Sequence, residues 1–206
     1  ADTIVLAVKP QVIQTVAEQL EDGALNGKLL INIAAGVTIA TLEKLFGDIA
    51  IARTMPNTPA LLGLGATGLY VNEKASETQK ADAIKITEAF GICVAVDRED
   101  LLDAVTAVSG SGPAYYFLMI EEMIKSGVEL GLAPEDAKAL TLQTALGAAS
   151  MAAKGDVAPE ELRRRVTSPN GTTHAALTLM QENGFGDVVA KAMKACKDRA
   201  VELGTT

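Results

Sequence analysis

The sequence predicts an α/β domain built on a largely parallel sheet, followed by an all-α domain, with the division between residues 97 and 98. Three observations lead to this prediction. Up to residue 97, short apolar runs alternate with helical patterns, which is typical of βαβ units. Residues 98–206 carry helical spacing alone. Of the 206 residues, 49% are hydrophobic, which is enough to form two cores.

Five apolar runs are the predicted strands of the first half. Each is short and bounded by turn residues, as expected for strands that are covered on both faces of a sheet. They are residues 3–8, a run that ends at Ile33, residues 49–56, residues 64–72 and residues 92–96. Between them, helices are predicted from Pro10, from the N-cap Thr38 and from the N-cap Ser76, because proline suits a first helical turn and hydroxyl groups cap one.

The second half is predicted to contain four long helices. All four show apolar residues at helical spacing, and they are expected to start at Pro113, Pro134, Thr172 and Asp187, the last one ending at Gly204. The stretch Ser109–Gly112 is interpreted as a flexible hinge into the first of them, because it lacks the G-x-S-x-G frame of a nucleophile elbow.

Composition and charge argue against several classes of function. The net charge is −8, with 18 Lys and Arg against 26 Asp and Glu, whereas a nucleic-acid partner would need a positive surface. Cys93 and Cys196 lack the neighbours of a zinc site and, as scattered thiols, suit the cytoplasm. No apolar stretch has the length of a membrane span. Because the chain opens almost inside a strand and without Met, we expect further sequence upstream of Ala1.

The ends of the first three predicted strands form a candidate binding edge. Open parallel sheets bind ligands at the carboxyl ends of their strands. Such a row of small or proline-fixed residues would let a flat cofactor lie across the sheet, although ordinary βα loops have a similar composition. The residues are Ala7, Val8, Lys9 and Pro10, then Ala34, Ala35 and Gly36, then Thr54 to Pro59 with Asn57 among them.

The segment Gly63–Gly68 matches the dinucleotide fingerprint G-x-G-x-x-G but is predicted not to bind phosphate. That mechanism needs a strand before the glycines and a helix after them. Here Leu69, Tyr70 and Val71 follow as a strand-like run. We interpret these glycines as part of a turn or bulge.

The segment Val166–Leu177, VTSPNGTTHAAL, is a candidate anion site. Thr172 opens a helix, and the N–H groups of a first helical turn lack intrahelical acceptors and carry partial positive charge. Gly171 would allow close approach, so that Thr172 and Thr173 cradle a carboxylate with the Ser168 hydroxyl beside them. A turn capped by threonine is the alternative that the residue chemistry leaves open.

Two segments, Asp103–Phe117 (DAVTAVSGSGPAYYF) and Val166–Leu177, closely resemble the pyrroline-5-carboxylate reductase family. LAVKPQ, IAAGVTI and RTMPNTP match in order and place as well, so the resemblance extends over essentially all 206 residues. It implies a Rossmann-type dinucleotide-binding domain in residues 1–97, without its first βαβ elements, and a helical dimerisation and substrate domain in residues 98–206. The implied reaction is the reduction of a cyclic imino acid to proline. The implied cofactor is NADP, with NAD possible, and the implied assembly is a homodimer or a larger oligomer of dimers.

The resemblance also implies roles for individual residues. It assigns the dinucleotide to the strand ends Ala7–Pro10, Ala34–Gly36 and Asn57, and the substrate to Glu99, Ser168, Thr172 and Thr173. Thr173 is the implied catalytic residue, because its hydroxyl would hydrogen-bond the imine nitrogen while binding and orientation do most of the work. His174 is interpreted as a helix-surface or cap-supporting residue, with proton donation to the substrate as the alternative. Arg165 stands where some members of the family have Asn facing the cofactor, and Asn170 stands at a position often held by Gly.

Two other functions stay open at this point. A related hydroxy-acid dehydrogenase would use a catalytic lysine in its helical domain. Lys125 lies among carboxylates, at Glu121, Glu122 and Glu129, and lacks the glycine-rich and Asn companions of such a lysine. The other alternative is a non-catalytic dimerisation module that binds no cofactor.

Overall fold

The computed structural model describes residues 1–21 and 23–204, and it separates the chain into two compact units. The sheet unit comprises residues 1–113 together with the segment that starts at Ala192, and the helical unit comprises Ala114–Lys191. These units differ from the predicted division at residue 98. The reason is that residues 101–110 pack against the sheet, and the end of the last helix contacts Gly36.

The sheet unit contains one sheet of five strands. They are β1 (Thr3–Leu6), β2 (Leu29–Asn32), β3 (Ala50–Met55), β4 (Gly65–Val71) and β5 (Gly91–Ala95), and they lie in this order across the sheet. β1, β2 and β3 are parallel, β4 is antiparallel to β3, and β5 is parallel to β4. The predicted α/β fold with a largely parallel sheet is therefore confirmed.

Four α-helices lie between or after the strands in the described residues of the segment 1–113. They are α1 (Ile13–Glu18), which follows a 3-10 turn at Pro10–Val12, α2 (Ile39–Phe46), α3 (Glu77–Glu88) and α4 (Leu101–Val105). The predicted caps are confirmed. The Thr38 hydroxyl accepts from Thr41 N–H at 3.2 Å, and Ser76 forms a reciprocal capping box with Gln79.

Aliphatic side chains fill both faces of the sheet. One core joins Leu30 to Leu42 of α2, and the other joins Leu29 and Ile31 to Ala83 of α3. The three consecutive β2 residues alternate between the cores because strand side chains point to opposite faces in turn. β2 is buried along its whole length, so the polar Asn32 at its end needs partners inside the protein.

The remaining helices are α5 (Gly112–Glu129), α6 (Pro134–Lys154), α7 (Pro159–Arg165), α8 (Thr172–Glu182) and α9 (Phe185–Gly204). The predicted starts of α5, α6 and α8 agree with the structure to within one residue. α9 begins at Phe185, so Asp187 lies in its first turn and does not cap it. The short helix α7 is not among the predicted ones. No helix in the described part of the chain combines the length and the hydropathy needed to cross a bilayer.

The stretch Ser109–Gly112, predicted to be a flexible hinge, has regular backbone structure. Thr106–Gly110 forms a π-helical turn, Ser111 N–H donates to the Thr106 carbonyl at 2.8 Å, and α5 follows directly. A Cβ on Gly110 would lie 2.5 Å from the methyl carbon of Met55. The segment is therefore a packed turn beside the end of β3.

Candidate functional site

The carboxyl ends of β1, β2 and β3 lie at one edge of the sheet, because these strands run parallel. The structure thus brings together the predicted cofactor segments Ala7–Pro10, Ala34–Gly36 and the loop that contains Asn57. Ala7, Lys9, Pro10 and Ala35 are exposed, Val8, Gly36 and Asn57 are half-buried, and Ala34 is buried. The edge offers small side chains, open backbone and the ammonium group of Lys9.

The loop Ala34–Gly36 is fixed at its start by Asn32. The side-chain oxygen of Asn32 accepts from Ala34 N–H at 3.2 Å, and its side-chain nitrogen donates to the Ala34 carbonyl at 3.3 Å. Thr54 of β3 donates its hydroxyl to the Asn32 carbonyl at 3.1 Å. These buried bonds set the shape of the turn without any ligand.

At its other end the loop packs against the last turn of α9. Gly36 has a φ of +76°, and a Cβ built on it would lie 3.3 Å from both the Cβ and the carbonyl oxygen of Leu203. Next to this contact, a Cβ on Gly204 would lie 3.6 Å from the Thr38 methyl group. The loop therefore needs a residue without a side chain at position 36.

The side chain of Asn57 is engaged by the fold. Its nitrogen donates to the Ser109 carbonyl at 3.0 Å, and its oxygen accepts from Ala66 N–H at 2.9 Å. These bonds tie the loop after β3 to the π-helical turn and to β4. The predicted contact of Asn57 with a cofactor stays a prediction, whereas its positioning of this loop is visible.

Glu99, which the resemblance assigns to the substrate, forms an internal ion pair in the sheet unit. Its Oε1 accepts from Arg53 Nη1 at 2.8 Å and from Ile39 N–H at 2.8 Å. Asp103 Oδ1 lies 3.8 Å from Arg53 Nη2. Burial raises the pKa of the Asp103 carboxyl, and the neighbouring Arg53 charge opposes that rise.

The segment Gly63–Gly68 lacks the conformation of a phosphate loop, which agrees with the interpretation of its glycines as part of a turn or bulge. Its second half is the start of β4, and Gly63 is a left-handed turn residue with a φ of +70°. A Cβ on Gly91 would lie 2.0 Å from the Gly65 carbonyl oxygen. These glycines allow β4 and β5 to approach closely, and no helix follows them to receive a pyrophosphate.

The predicted substrate loop lies in the helical unit, between α7 and α8. Gly171 N–H donates to the Ser168 carbonyl at 3.0 Å, which closes the turn, and Asn170 has a φ of +58°. In residues 1–21 and 23–204, no backbone acceptor engages the N–H groups of Thr172 or Thr173. The first turn of α8 therefore has the open amides that the anion prediction requires.

Gly171 permits a close approach beside this turn. A Cβ built on it would lie 2.5 Å from the Ser168 hydroxyl oxygen and 3.1 Å from the Ser168 carbonyl oxygen. The structure thus brings Ser168 to the N-terminus of α8, as predicted. Glu99 belongs to the sheet unit, so its assignment to the same substrate stays a prediction.

Two ion pairs link the last residues of α7 to its first turn. Arg164 and Arg165 both donate to Glu161, at 2.6 Å and 2.9 Å. The guanidinium group of Arg164, which has the larger effect, and that of Arg165 lower the pKa of the exposed Glu161 carboxyl to about 2. Arg165 thus has a partner on its own helix.

His174 lies on the side of α8 that faces α7. It lines a cavity of about 450 Å³ together with Thr178 and Gln181 of α8 and Glu160 and Arg163 of α7. Thr173 does not line this cavity, so the two adjacent residues have different surroundings. Proton donation by His174 stays a prediction.

Arg53, near the end of β3, and Asn32, at the end of β2, are two polar residues that are not among the site residues predicted from the sequence. Both interrupt otherwise apolar strand runs, IAIARTMP and KLLINIAAG. A polar residue in a buried strand needs a partner, and this signal was available in the sequence. Leu203 gave no such signal, because its contact with Gly36 joins distant parts of the chain.

Comparison with known protein families gives two matches. Residues 99–203 match the family described as pyrroline-5-carboxylate reductase dimerisation. Residues 1–36 match the family described as NADP oxidoreductase, coenzyme F420-dependent. The first match spans more than half of the chain and includes the predicted substrate loop, and the second includes the edge residues Ala7–Pro10 and Ala34–Gly36.

Similar proteins cover nearly the whole chain. The pyrroline-5-carboxylate reductase of Pseudomonas aeruginosa is 50% identical over 98% of this chain and 75% of its own length. The enzyme of that name from Synechocystis is 44% identical over 99% of this chain and 76% of its own. The chain therefore spans about three quarters of the length of these relatives.

Solved structures agree with these relatives. A pyrroline-5-carboxylate reductase from Coxiella burnetii superposes with a TM-score of 0.95 at 42% identity, covering 100% of this chain and 77% of that one. Pyrroline carboxylate reductase from Plasmodium falciparum, solved with NADP bound, gives 0.89 at 36% identity, covering 99% of this chain and 78% of that one.

Proposed function

Because the chain belongs to the pyrroline-5-carboxylate reductase family, we propose that it reduces 1-pyrroline-5-carboxylate to L-proline, the last step of proline biosynthesis. The reaction is a hydride transfer from NADPH, with NADH as the second candidate donor. The observation that carries the proposal is 50% identity to a reductase of this name over 98% of the chain, together with the open amides at the start of α8. The relative from Plasmodium falciparum, whose structure holds NADP, supports the choice of cofactor.

The carboxyl edge of the sheet fits a dinucleotide. Ala7, Ala35 and Gly36 leave the backbone accessible, and the exposed Lys9 can face an anionic group. We assign cofactor binding to Ala7–Pro10, Ala34–Gly36 and Asn57, with residues 1–97 as the dinucleotide-binding domain. When bound, the reduced nicotinamide supplies the hydride.

The start of α8 fits a small carboxylate. The N–H groups of Thr172 and Thr173 hold the substrate carboxylate by charge-assisted hydrogen bonds, and the Ser168 hydroxyl assists them. Residues 98–206 form the substrate and dimerisation domain of this proposal.

Thr173 orients the ring nitrogen. Reduction adds a hydride to the imine carbon, while the nitrogen either gains a proton or already holds one as the protonated imine. A hydroxyl suits both states, because it donates to a neutral imine and accepts from a protonated one without changing its own charge. Orientation by Thr173 is therefore its contribution to the rate.

The test is consumption of NADPH, followed at its absorbance band, with pyrroline-5-carboxylate as substrate. Oxidation of NADPH that depends on the imine, with proline as product, is the expected result. Protein without imine, and a 3-hydroxy acid with NADP, serve as matched controls. Activity with the hydroxy acid and none with the imine would overturn the proposal.

We also propose that the protein acts as a homodimer or as a larger oligomer of dimers. The dimerisation match over residues 99–203 supports this assembly, as do large apolar side chains exposed along α5 and α6. These are Leu118, Met119, Met123, Leu140, Leu146 and Met151. Such a surface calls for a covering partner. Light scattering coupled to gel filtration should give an even multiple of the chain mass, and a monomer would contradict the proposal.

The free thiols Cys93 and Cys196 support a location in the cytoplasm.

A further inference from the structure

The buried Arg53 is paired with the half-buried Glu99 inside the sheet unit. Arg53 is only 8% exposed, and arginine is rarely buried to this degree without a partner. Its Nη1 donates to Glu99 Oε1 at 2.8 Å, and the carboxylate of Asp103 lies 3.8 Å from Nη2. The pair therefore differs from an exposed salt bridge, whose two charges remain hydrated.

The same oxygen of Glu99 has a second partner at the start of α2. Ile39 N–H donates to Oε1 at 2.8 Å across 60 positions of sequence. Ile39 is the first residue of α2, where N–H groups lack intrahelical acceptors and the helix dipole favours a negative charge. Glu99 thus caps α2 together with Thr38, which accepts from Thr41 N–H.

The start of α2 directly follows the cofactor loop. Gly36 is the last residue of that loop, and only Val37 and Thr38 separate it from Ile39. Val37 is buried in the core beneath α2, so the segment has little freedom to move alone. The loop is therefore anchored at its start by Asn32 and at its end by Glu99, which Arg53 holds in place.

We propose that Arg53 and Glu99 are positioning residues for the cofactor: their pair fixes the start of α2 and, through it, the conformation of Ala34–Gly36. The inference rests on the proposed function for the identity of the cofactor. It gives Glu99 a task other than the direct substrate contact implied by the resemblance. Loss of Glu99 leaves the buried Arg53 with only the more distant carboxylate of Asp103, and it removes the acceptor of Ile39 N–H. Loss of Arg53 removes the donor that fixes the half-buried Glu99. Either change releases the end of the loop.

Three variants separate this role from general stability. Glu99→Gln keeps the shape of the side chain and removes the charge that holds Arg53, whereas Arg53→Lys keeps the charge and loses the planar donor geometry. Lys74→Met is the matched control, because Lys74 pairs with Glu43 of α2 at 3.1 Å, away from the start of that helix. Glu99→Asp replaces Glu99→Gln in the comparison if the latter does not fold.

The first measurement is hydrogen exchange of the protein without any ligand. In Glu99→Gln, the amides of residues 34–39 should exchange faster than in the wild type, and those of α3 should not. The second measurement is the dissociation constant of NADPH, followed by fluorescence. It should rise about fivefold or more in Glu99→Gln and less in Arg53→Lys, while the KM for pyrroline-5-carboxylate changes by less than about twofold. Lys74→Met should match the wild type in both measurements.

Unchanged exchange at residues 34–39 would overturn the inference. So would a parallel change of NADPH affinity and substrate KM with a lowered melting temperature, since that result describes a merely structural pair. If Glu99→Gln changes the KM for pyrroline-5-carboxylate more than the dissociation constant of NADPH, Glu99 contacts the substrate and the inference is wrong. If the wild type binds NADPH but does not reduce pyrroline-5-carboxylate, the proposed function fails while exchange and NADPH affinity still decide this inference.

Discussion

The Cβ of Leu203, in the last turn of α9, lies 3.3 Å from the point that a Cβ on Gly36 would occupy. Gly36 also has a φ of +76°, a conformation that residues with side chains rarely adopt. The end of the last helix therefore closes one side of the loop to which we assign the cofactor. Two independent restraints, backbone strain and a neighbouring residue, select glycine at this position.

Gly36→Ala is expected to weaken NADPH binding about tenfold, because left-handed strain of ~1 kcal/mol and displacement of Leu203 both distort the loop. Fluorescence titration measures this change. Gly47→Ala is the matched control, because Gly47 has a φ of +85° with no atom within 4 Å of its Cβ position. It should lower the melting temperature and leave NADPH affinity unchanged. Equal NADPH affinity in both variants would contradict the prediction.

Thr173→Ala should lower kcat by about tenfold to a hundredfold, because the ring nitrogen loses the hydroxyl that orients it. The dissociation constant of NADPH should stay within about twofold of the wild type, since the cofactor is assigned to other residues. Thr173→Ser retains the hydroxyl and should recover most of the rate. Steady-state kinetics that show only a raised KM for NADPH would contradict the role assigned to Thr173.

The fold was predictable where local chemistry decides it. Thr38 and Ser76 cap their helices as expected, because a hydroxyl before an amphipathic run suffices to place a helix start. The reversed direction of β4 had no local signal, since strand direction depends on how the chain crosses the sheet. The π-helical turn at Thr106–Gly110 was missed because its glycines and serines resemble a hinge, while its packing against Met55 joins distant residues.

The candidate site shows the same limit. The strand ends were predictable, because parallel strands carry their carboxyl ends to one edge. What fixes these ends was only partly predictable. Asn32 bonds to Ala34, two residues along the chain, whereas Arg53 and Glu99 act through contacts between elements. A charge within the apolar run IAIARTMP indicated that Arg53 has a partner but could not name it.

Asn170 is the one non-glycine residue with a positive φ in residues 1–21 and 23–204. Asn tolerates this conformation better than most residues. Asn170→Ala should therefore lower stability by ~1 kcal/mol, or roughly 2–4 °C in melting temperature. Asn170→Gly should melt within about 1 °C of the wild type, because it removes the strain while the unfolded chain gains freedom. Equal melting temperatures for the two variants would show that the turn is not strained.

Glu161 should keep its negative charge to unusually low pH. Arg164 and Arg165 lower the pKa of its carboxyl to about 2, so its ion pairs contribute to the folded state above the unfolded pKa of about 4.3. That contribution is lost as the pH falls through about 2, when the carboxyl is protonated and both arginines are released. The side-chain carbon resonance of Glu161, followed by NMR during acid titration, should give a midpoint near 2. Arg164→Gln removes the larger of the two effects and should move the midpoint upward. A wild-type midpoint near 4.3 would show that solvent separates these exposed pairs.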